Sequence, residues 1–292
     1  MKNRLILSGA LVLALTALTW AQANQRSNRP AAAPQPTQAP KPAPEPKKPV
    51  KPTGVVIGLD GWHNMEMPPH YKWEAKVMGG FSQFGEMLQG LGAEITTVKT
   101  ALTPEALKKI SILMIVRPDI PKFNPKPNYI QEPEIKAIVE WVKQGGVLVM
   151  MANNEGLCEF ERFNKLAKEF GMQFEGNTAK ATQTFEVPSD ERFFKEVKKL
   201  HIVNLTSMKV NPPARERLKL NDQVLMATAR LEKGFVWAFG DPWLYNEYIN
   251  HADNKKCATN IFSSLFGRAT PVTEKKADKD ALKIEKKEDK AK

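Results

Sequence analysis

Two apolar runs, at residues 110–116 and 147–151, most constrain the fold of this chain, and Ser111 is the one polar residue in them. Each has the length of a strand, and neither alternates with polar residues, which is typical of strands buried on both faces of a sheet. An amphipathic helix predicted over residues 133–143 lies between them and ends at Gly145-Gly146. A buried strand, a helix and a second buried strand form the repeating unit of a parallel sheet.

The same pattern extends in both directions along the chain. Before these runs it predicts strands and helices in alternation, and after them a more β-rich part that closes with a helix. The predicted strands are 55–59, 93–98, 182–187, 201–205, 224–229 and 235–239, and the predicted helices are 81–91, a short one opened by Thr103-Pro104, 158–170 and 253–266. The sequence therefore predicts an α/β fold with a doubly wound, mostly parallel sheet.

The rest of the chain divides around one domain at residues 54–268. Residues 1–23 have the positive start, apolar run and small-x-small ending of a signal peptide. Residues 24–53 contain nine of the 22 prolines and predict a semi-rigid linker. Residues 269–292 are mostly charged and predict a disordered tail. We expect export to the periplasm or the extracellular space, and no membrane span after signal cleavage.

The charge of the chain argues against nucleic acid as a partner. The formal net charge is +11, but the signal peptide, linker and tail carry nine of these charges, which leaves the domain at about +2. A nucleic-acid-binding domain should present a clustered basic face. Neither a glycine-rich phosphate loop nor a metal-binding spacing is apparent, so we expect no cofactor and no metal. Cys158 and Cys257 leave a disulfide open, since the sequence cannot bring them together.

Polar and aromatic residues follow four predicted strands, at 60–64, 117–121, 153–156 and 240–247. Ligands of open α/β sheets bind beyond the carboxyl ends of the strands, so these segments predict one binding crevice. Its candidate ligand-binding residues are Trp62, His63, Asn64, Arg117, Asn154, Glu155, Asp241, Trp243, Asn246 and Glu247. The segment at 60–64 could instead be a surface turn, and the aromatic residues of 240–248 could instead be core packing.

The turn after the strand at 147–151 is where a hydrolase-like or amidotransferase-like fold would place its nucleophile. The apex residues here are Asn153 and Asn154, which cannot form an acyl intermediate. Cys158 falls inside a predicted helix, where free cysteine usually fills apolar space. We therefore assign no catalytic residue.

Six segments of the domain resemble a known family. They are HYKWE at 70–74, GFSQFGE at 80–86, KPNYIQ at 126–131, WVKQGGVLV at 141–149, EFERFNKLA at 159–167 and GDPWLYNEY at 240–248. In order and spacing they resemble the accessory module that follows the catalytic barrel in bacterial unsaturated rhamnogalacturonyl hydrolases. The resemblance implies a class I glutamine amidotransferase-like, or flavodoxin-like, sheet without the nucleophile. It also implies a place beside polysaccharide-degrading enzymes, but this chain has no room for the barrel.

The leading hypothesis is an exported, non-catalytic module that binds an oligosaccharide or polysaccharide, with a carbohydrate-active enzyme as a further partner. Arg117 would pair with a uronate carboxylate, and Trp62 or Trp243 would stack on a sugar ring. One alternative is a carbohydrate hydrolase that uses Asp241 with Glu155 or Glu247. The other is a cell-envelope scaffold in which the crevice has no role.

Overall fold

The structure is a computed structural model, and it describes residues 51–65, 70–179, 184–188, 192–203 and 205–272. The predicted signal peptide, most of the linker and most of the tail lie outside these residues. Contacts hold both ends of the described chain. The Thr53 N–H donates to the Gly92 carbonyl, and the Thr270 N–H donates to the Gly145 carbonyl.

Five parallel strands form one side of a nine-stranded sheet. They are β1 (Val56–Asp60), β2 (Glu94–Val98), β3 (Ile112–Val116), β4 (Val147–Met151) and β11 (Gly234–Phe239). From the edge of the sheet inwards their order is β2-β1-β3-β4-β11. Every residue of β3, β4 and β11 is buried, as the apolar runs predict. The predicted fold is confirmed: the sheet is parallel over these five strands and has helices on both faces.

Antiparallel strands extend the sheet beyond β11. They are β5 (Met172–Phe174), β8 (Met208–Val210), β9 (Arg215–Leu220) and β10 (Gln223–Leu231). The sequence predicted only β10 among these, because β5 and β8 are three residues long and β9 is mostly charged. A separate two-stranded ribbon pairs β6 (Thr184–Glu186) with β7 (Lys199–His201).

The strand predicted over 201–205 is wrong, since β7 ends at His201. The Asn254 side chain bonds both backbone groups of His201, accepting its N–H at 2.9 Å and donating to its carbonyl at 2.8 Å. The chain then leaves the ribbon, and the Thr206 N–H donates to the Gly240 carbonyl.

Helices cover the two faces of the sheet over separate apolar cores. One face carries α1 (Ser82–Gly90) and α5 (Asn254–Phe266), and the other carries α2 (Pro104–Leu107), α3 (Glu132–Lys143) and α4 (Glu161–Lys168). A short 3-10 helix spans Arg192–Phe194. The α4 helix begins three residues later than predicted, because the Glu159 carboxylate accepts the N–H groups of Arg162 and Phe163.

The two cysteines lie in different cores, one on each face of the sheet. Cys158 and Cys257 are therefore free thiols, and both are buried. Within the described ranges, no helix combines the length and the apolar character that crossing a bilayer requires.

Candidate functional site

A buried charge cluster holds the loop that follows β1. His63 Nδ1 lies 2.7 Å from Asp60 Oδ2, and His63 Nε2 lies 3.3 Å from Glu134 Oε1 on α3. The other Asp60 oxygen accepts the N–H groups of Trp62 and His63. Glu134 also accepts the Leu102 N–H at 2.9 Å. His63 is 1% exposed, so the cluster ties β1 to α3 away from water.

The cluster keeps His63 charged. Burial lowers the pKa of the imidazole, but the charge and hydrogen bond of Asp60, together with Glu134, outweigh burial and raise this pKa to about 10. Burial alone would raise the pKa of Glu134, yet the hydrogen bond from His63 and those from backbone amides lower it. A buried imidazolium between two carboxylates is a structural ion pair, and it leaves no free base for a ligand.

Asn64 joins the loop after β1 to the end of β3. Its Nδ2 donates to the carbonyls of Val116, at 3.1 Å, and Arg117, at 3.3 Å. Lys72 Nζ donates to the Asn64 carbonyl and also lies 3.2 Å from its Oδ1. The side chain of Asn64 is 2% exposed, so its polar groups serve the protein itself.

Arg117 is buried behind the crevice. Its Nη1 donates to the Leu157 carbonyl at 3.0 Å, and its guanidinium lies 5.3 Å from the Tyr71 ring centre and 4.7 Å from that of Phe123. Burial lowers the pKa of Arg117. Arg117 and Tyr71 both have positive φ, at 43° and 53°. Left-handed backbone of this kind in non-glycine residues costs energy and concentrates at functional sites.

A cleft of about 260 Å³ opens beyond β4 and β11. The Tyr71 and Tyr245 ring centres are 5.9 Å apart, and those of Tyr245 and Tyr248 are 4.9 Å apart. The cleft therefore has an aromatic wall, with one carboxylate and one amide among its polar groups. Its lining residues are His70, Tyr71, Met78, Gly79, Asn153, Leu157, Val203, Tyr245, Glu247 and Tyr248.

Glu247 is the one carboxylate among these lining residues. Its Oε2 accepts the Gly79 N–H at 2.7 Å, while its Oε1 has no hydrogen bond within the described residues. Gly79 has φ of 75°, and a Cβ there would lie 2.3 Å from the His70 ring. Glycine is therefore required where the rim approaches Glu247.

Asn246 holds the rim of the cleft. Its Oδ1 accepts the Gln83 N–H at 3.0 Å, and its Nδ2 donates to the carbonyls of Ala75, at 2.9 Å, and Val77, at 3.0 Å. These bonds join the loop after β11 to the start of α1 and to the segment before it. The Asn246 amide is thus engaged within the protein.

Asp241 and Trp243 are buried in the loop after β11. Burial raises the pKa of Asp241 well above its ordinary value, and neither carboxyl oxygen has a hydrogen-bond partner among the described residues. The pKa values of Tyr71 and Tyr245 are raised first by burial and next by the nearby Asp241. Trp243 is fully buried, with its ring 5.4 Å from that of Phe239.

The segment between β4 and α4 contributes Asn153 and Leu157 to the cleft. Asn153 Nδ2 donates to Tyr71 Oη at 3.3 Å, and Asn153 Oδ1 accepts the Asn154 N–H at 2.8 Å. The Asn154 side chain reaches Thr178 at 3.4 Å, and Glu155 is exposed outside the cleft. Of the two predicted apex residues, Asn153 and Asn154, it is Asn153 that lines the cleft.

The ten predicted site residues differ in their position relative to the cleft. Glu247 lines it, while Asp241, Trp243, Arg117, His63 and Asn64 are buried around or behind it. Trp62 is half-buried on the loop after β1, and its carbonyl accepts the Asn128 side-chain N–H. Among the described residues, no group of three His, Cys, Asp or Glu could hold a metal ion.

The lining residues that sequence reasoning missed lie mainly on one loop. His70, Tyr71 and Met78 precede α1, and in the sequence they carry no strand-end signal. The Tyr71 N–H donates to the Gly79 carbonyl, so the loop closes on itself. The glycine pair at 79–80 was the one sequence signal of this close approach.

No protein-family model matches the chain, and no curated protein sequence matches it. Among solved structures it is similar to the mmIFT52 N-terminal domain, with a TM-score of 0.59 and 15% identity over 72% of this chain and 97% of that one. A putative ThuA-like protein from Bacteroides uniformis has a TM-score of 0.44 and 15% identity over 77% of this chain and 95% of that one.

In a third solved structure, the matched region is only part of a larger chain. Exo-beta-1,4-mannosidase Op5Man5 from Opitutaceae bacterium strain TAV5 matches with a TM-score of 0.43 and 15% identity, over 74% of this chain but 36% of that one. At these identities the likeness concerns the fold alone.

The charge cluster predicts a pH dependence of stability. The folded pKa of His63, about 10, lies above its ordinary value of 6.5. The stabilisation should therefore be complete below pH 6.5 and should be lost as the pH rises through 10. His63→Gln should lower the free energy of unfolding by about 3–5 kcal/mol below pH 6.5 and by less near pH 10. Urea unfolding across this range measures both effects.

His251→Gln is the matched control, because His251 is an exposed imidazole. It should leave unchanged the loss of stability that accompanies the rise of pH through 10. A His63→Gln variant whose deficit is the same at both ends of the pH range would contradict the buried imidazolium.

Proposed function

We propose that the cleft binds one sugar residue of an oligosaccharide and that the protein does not cleave it. The observation that carries this proposal is the composition of the cleft wall. Tyrosine rings stand beside a carboxylate oxygen that no described residue engages. Aromatic faces pack on the apolar faces of sugar rings, and carboxylate and amide oxygens accept hydrogen bonds from sugar hydroxyls.

The volume of the cleft supports a small polar ligand. Pockets for drug-sized molecules occupy about 300–1,000 Å³, and this cleft, at about 260 Å³, is slightly smaller. A single ring at the end of a chain, or one ring of a chain that crosses the opening, suits this size. The Asn153 amide, already bonded to Tyr71 Oη, offers a second polar contact.

The charge inside the cleft favours a neutral sugar there. Glu247 is the carboxylate in the wall, and it would repel the carboxylate of a uronate. Arg117, which the sequence analysis assigned to a uronate, is 3% exposed and donates to the Leu157 carbonyl. We therefore assign hydroxyl recognition, rather than acid recognition, to this cleft.

The burial and positions of the other candidate catalytic groups support binding without cleavage. A glycosidase uses two carboxyl groups about 5–9.5 Å apart on either side of the bond. Asp241 is 1% exposed with a raised pKa, and Glu155 points to solvent outside the cleft. Cys158 is buried, and burial raises the pKa of its thiol, which disfavours the reactive thiolate.

The binding proposal is tested by calorimetric titration of the full chain with neutral and uronate-containing oligosaccharides, followed by product analysis. We expect a neutral sugar to bind without shortened products. Glu247→Gln should weaken this binding about tenfold or more, since a hydrogen bond to a charged group contributes about 1.5–3 kcal/mol and ~1.4 kcal/mol corresponds to tenfold.

Glu155→Gln is the matched control, with the same chemical change at a carboxylate outside the cleft. It should leave binding unchanged, and equal losses in both variants would contradict the proposed site. Shortened products that disappear in Glu247→Gln would favour the hydrolase. No binding by any oligosaccharide would favour the scaffold.

We also propose that the domain is exported and held on the linker, beside a carbohydrate-active enzyme. The signal-like residues 1–23, the proline-rich residues 24–53 and the six segments that resemble the accessory module support this setting. Expression of the full chain in a bacterium, with mass analysis of the product, tests export. We expect a mature chain that begins at Asn24; a chain retained in the cytoplasm with residues 1–23 intact would contradict it.

A further inference from the structure

A second cavity, of about 710 Å³, lies at the opposite end of β11 from the cleft. Phe235, near the start of β11, lines this cavity, whereas the cleft lies beyond its last residue, Phe239. Four arginines contribute to its wall, and no carboxylate is among the lining residues. We call it the arginine groove, defined by Arg215, Arg217, Arg230 and Arg268.

The pairing of β9 with β10 brings two of these arginines to one face. Arg215 lies opposite Thr228, and Arg230 follows Thr228 by two residues, so their side chains share a face of the sheet. The register shifts beside Arg217, since Leu218 pairs with Met226 and Glu216 pairs with Ala227. A bulge of this kind redirects a side chain, and Arg217 Nε donates to Thr228 Oγ1 at 2.8 Å.

The arginines differ in how they are held. Arg268 stacks on the Phe235 ring at 4.4 Å, and Arg217 is fixed by Thr228, so both guanidinium groups are positioned by the fold. Arg215 and Arg230 are exposed, and neither forms an ion pair with a described residue. The groove thus combines two fixed cations with two that can move towards a ligand.

Such clustering stands out because the domain around it is nearly neutral. Residues 54–268 carry about +2 in total, so four guanidinium groups in one concavity are a local feature. A cleft lined by charges of one sign focuses the field and concentrates counter-ions. Guanidinium groups present fixed pairs of N–H donors that match the oxygens of carboxylates and phosphates.

We propose that the arginine groove binds an oligoanion, a ligand with two or more carboxylate or phosphate groups. The groove is separate from the proposed sugar cleft and does not depend on it. An acidic ligand, which Glu247 would repel from the cleft, would be attracted by the positive charges of the groove.

The test titrates the full chain with two probes, inorganic tripolyphosphate and a trimer of galacturonic acid, at low salt and at physiological salt. We expect at least one probe to bind, and more weakly at the higher salt. Arg215→Gln combined with Arg230→Gln should weaken binding about tenfold or more, since hydrogen bonds to charged groups are the strong ones. The probe that binds more tightly identifies the anion as phosphate or carboxylate.

Lys122→Gln combined with Lys126→Gln is the control, because it removes the same charge from exposed lysines elsewhere. It should retain binding; equal loss in both double variants would overturn the site. No binding of either probe to the wild-type protein would overturn the proposal. Glu247→Gln should leave oligoanion binding unchanged, which separates this test from that of the cleft.

Discussion

The buried imidazolium of His63 is the interaction on which the strand-end region depends. The imidazolium joins the loop after β1 to α3 through Asp60 and Glu134. The backbone carbonyl of His63 accepts the Asp119 N–H at 2.8 Å. The adjacent Asn64 bonds the end of β3. Since an unpaired buried ion costs several kcal/mol, no member of this network can be moved alone. The network therefore fixes the loop after β1 against α3 and the end of β3, and none of its members is among the lining residues of the cleft.

Buried groups organise the cleft itself. Asp241 lies near the phenols of Tyr71 and Tyr245, and burial raises the pKa of its carboxyl well above the ordinary value. Asn246 fixes the rim by bonding the chain on both sides of α1's start. Glu247 is the one carboxylate among the residues that line the cleft. The aromatic wall with one available acceptor is the basis of the proposed hydroxyl recognition, and the four guanidinium groups at the opposite end of β11 are the basis of the proposed anion binding.

Periodicity predicted the central sheet well, because strands buried on both faces appear as unbroken apolar runs such as that of β3. It could not predict β5 or β8, since three residues carry too little pattern. For the site, the sequence identified the strand ends but not the direction of each side chain. Trp243 turns into the core while Glu247, four residues later, lines the cleft. Tyr71 joins the same wall from a loop far away in the chain, and such a contact leaves no local signal.

The central claim, that a sugar occupies the cleft, is tested most directly by methyl NMR of the methionine-labelled protein. Met78 lines the cleft and is 75% exposed, whereas Met65 is 50% exposed and lies outside the lining. We expect titration with a neutral oligosaccharide to shift the methyl resonance of Met78 and to leave that of Met65 in place. Equal shifts at both methyl groups, or a shift at Met65 alone, would contradict it.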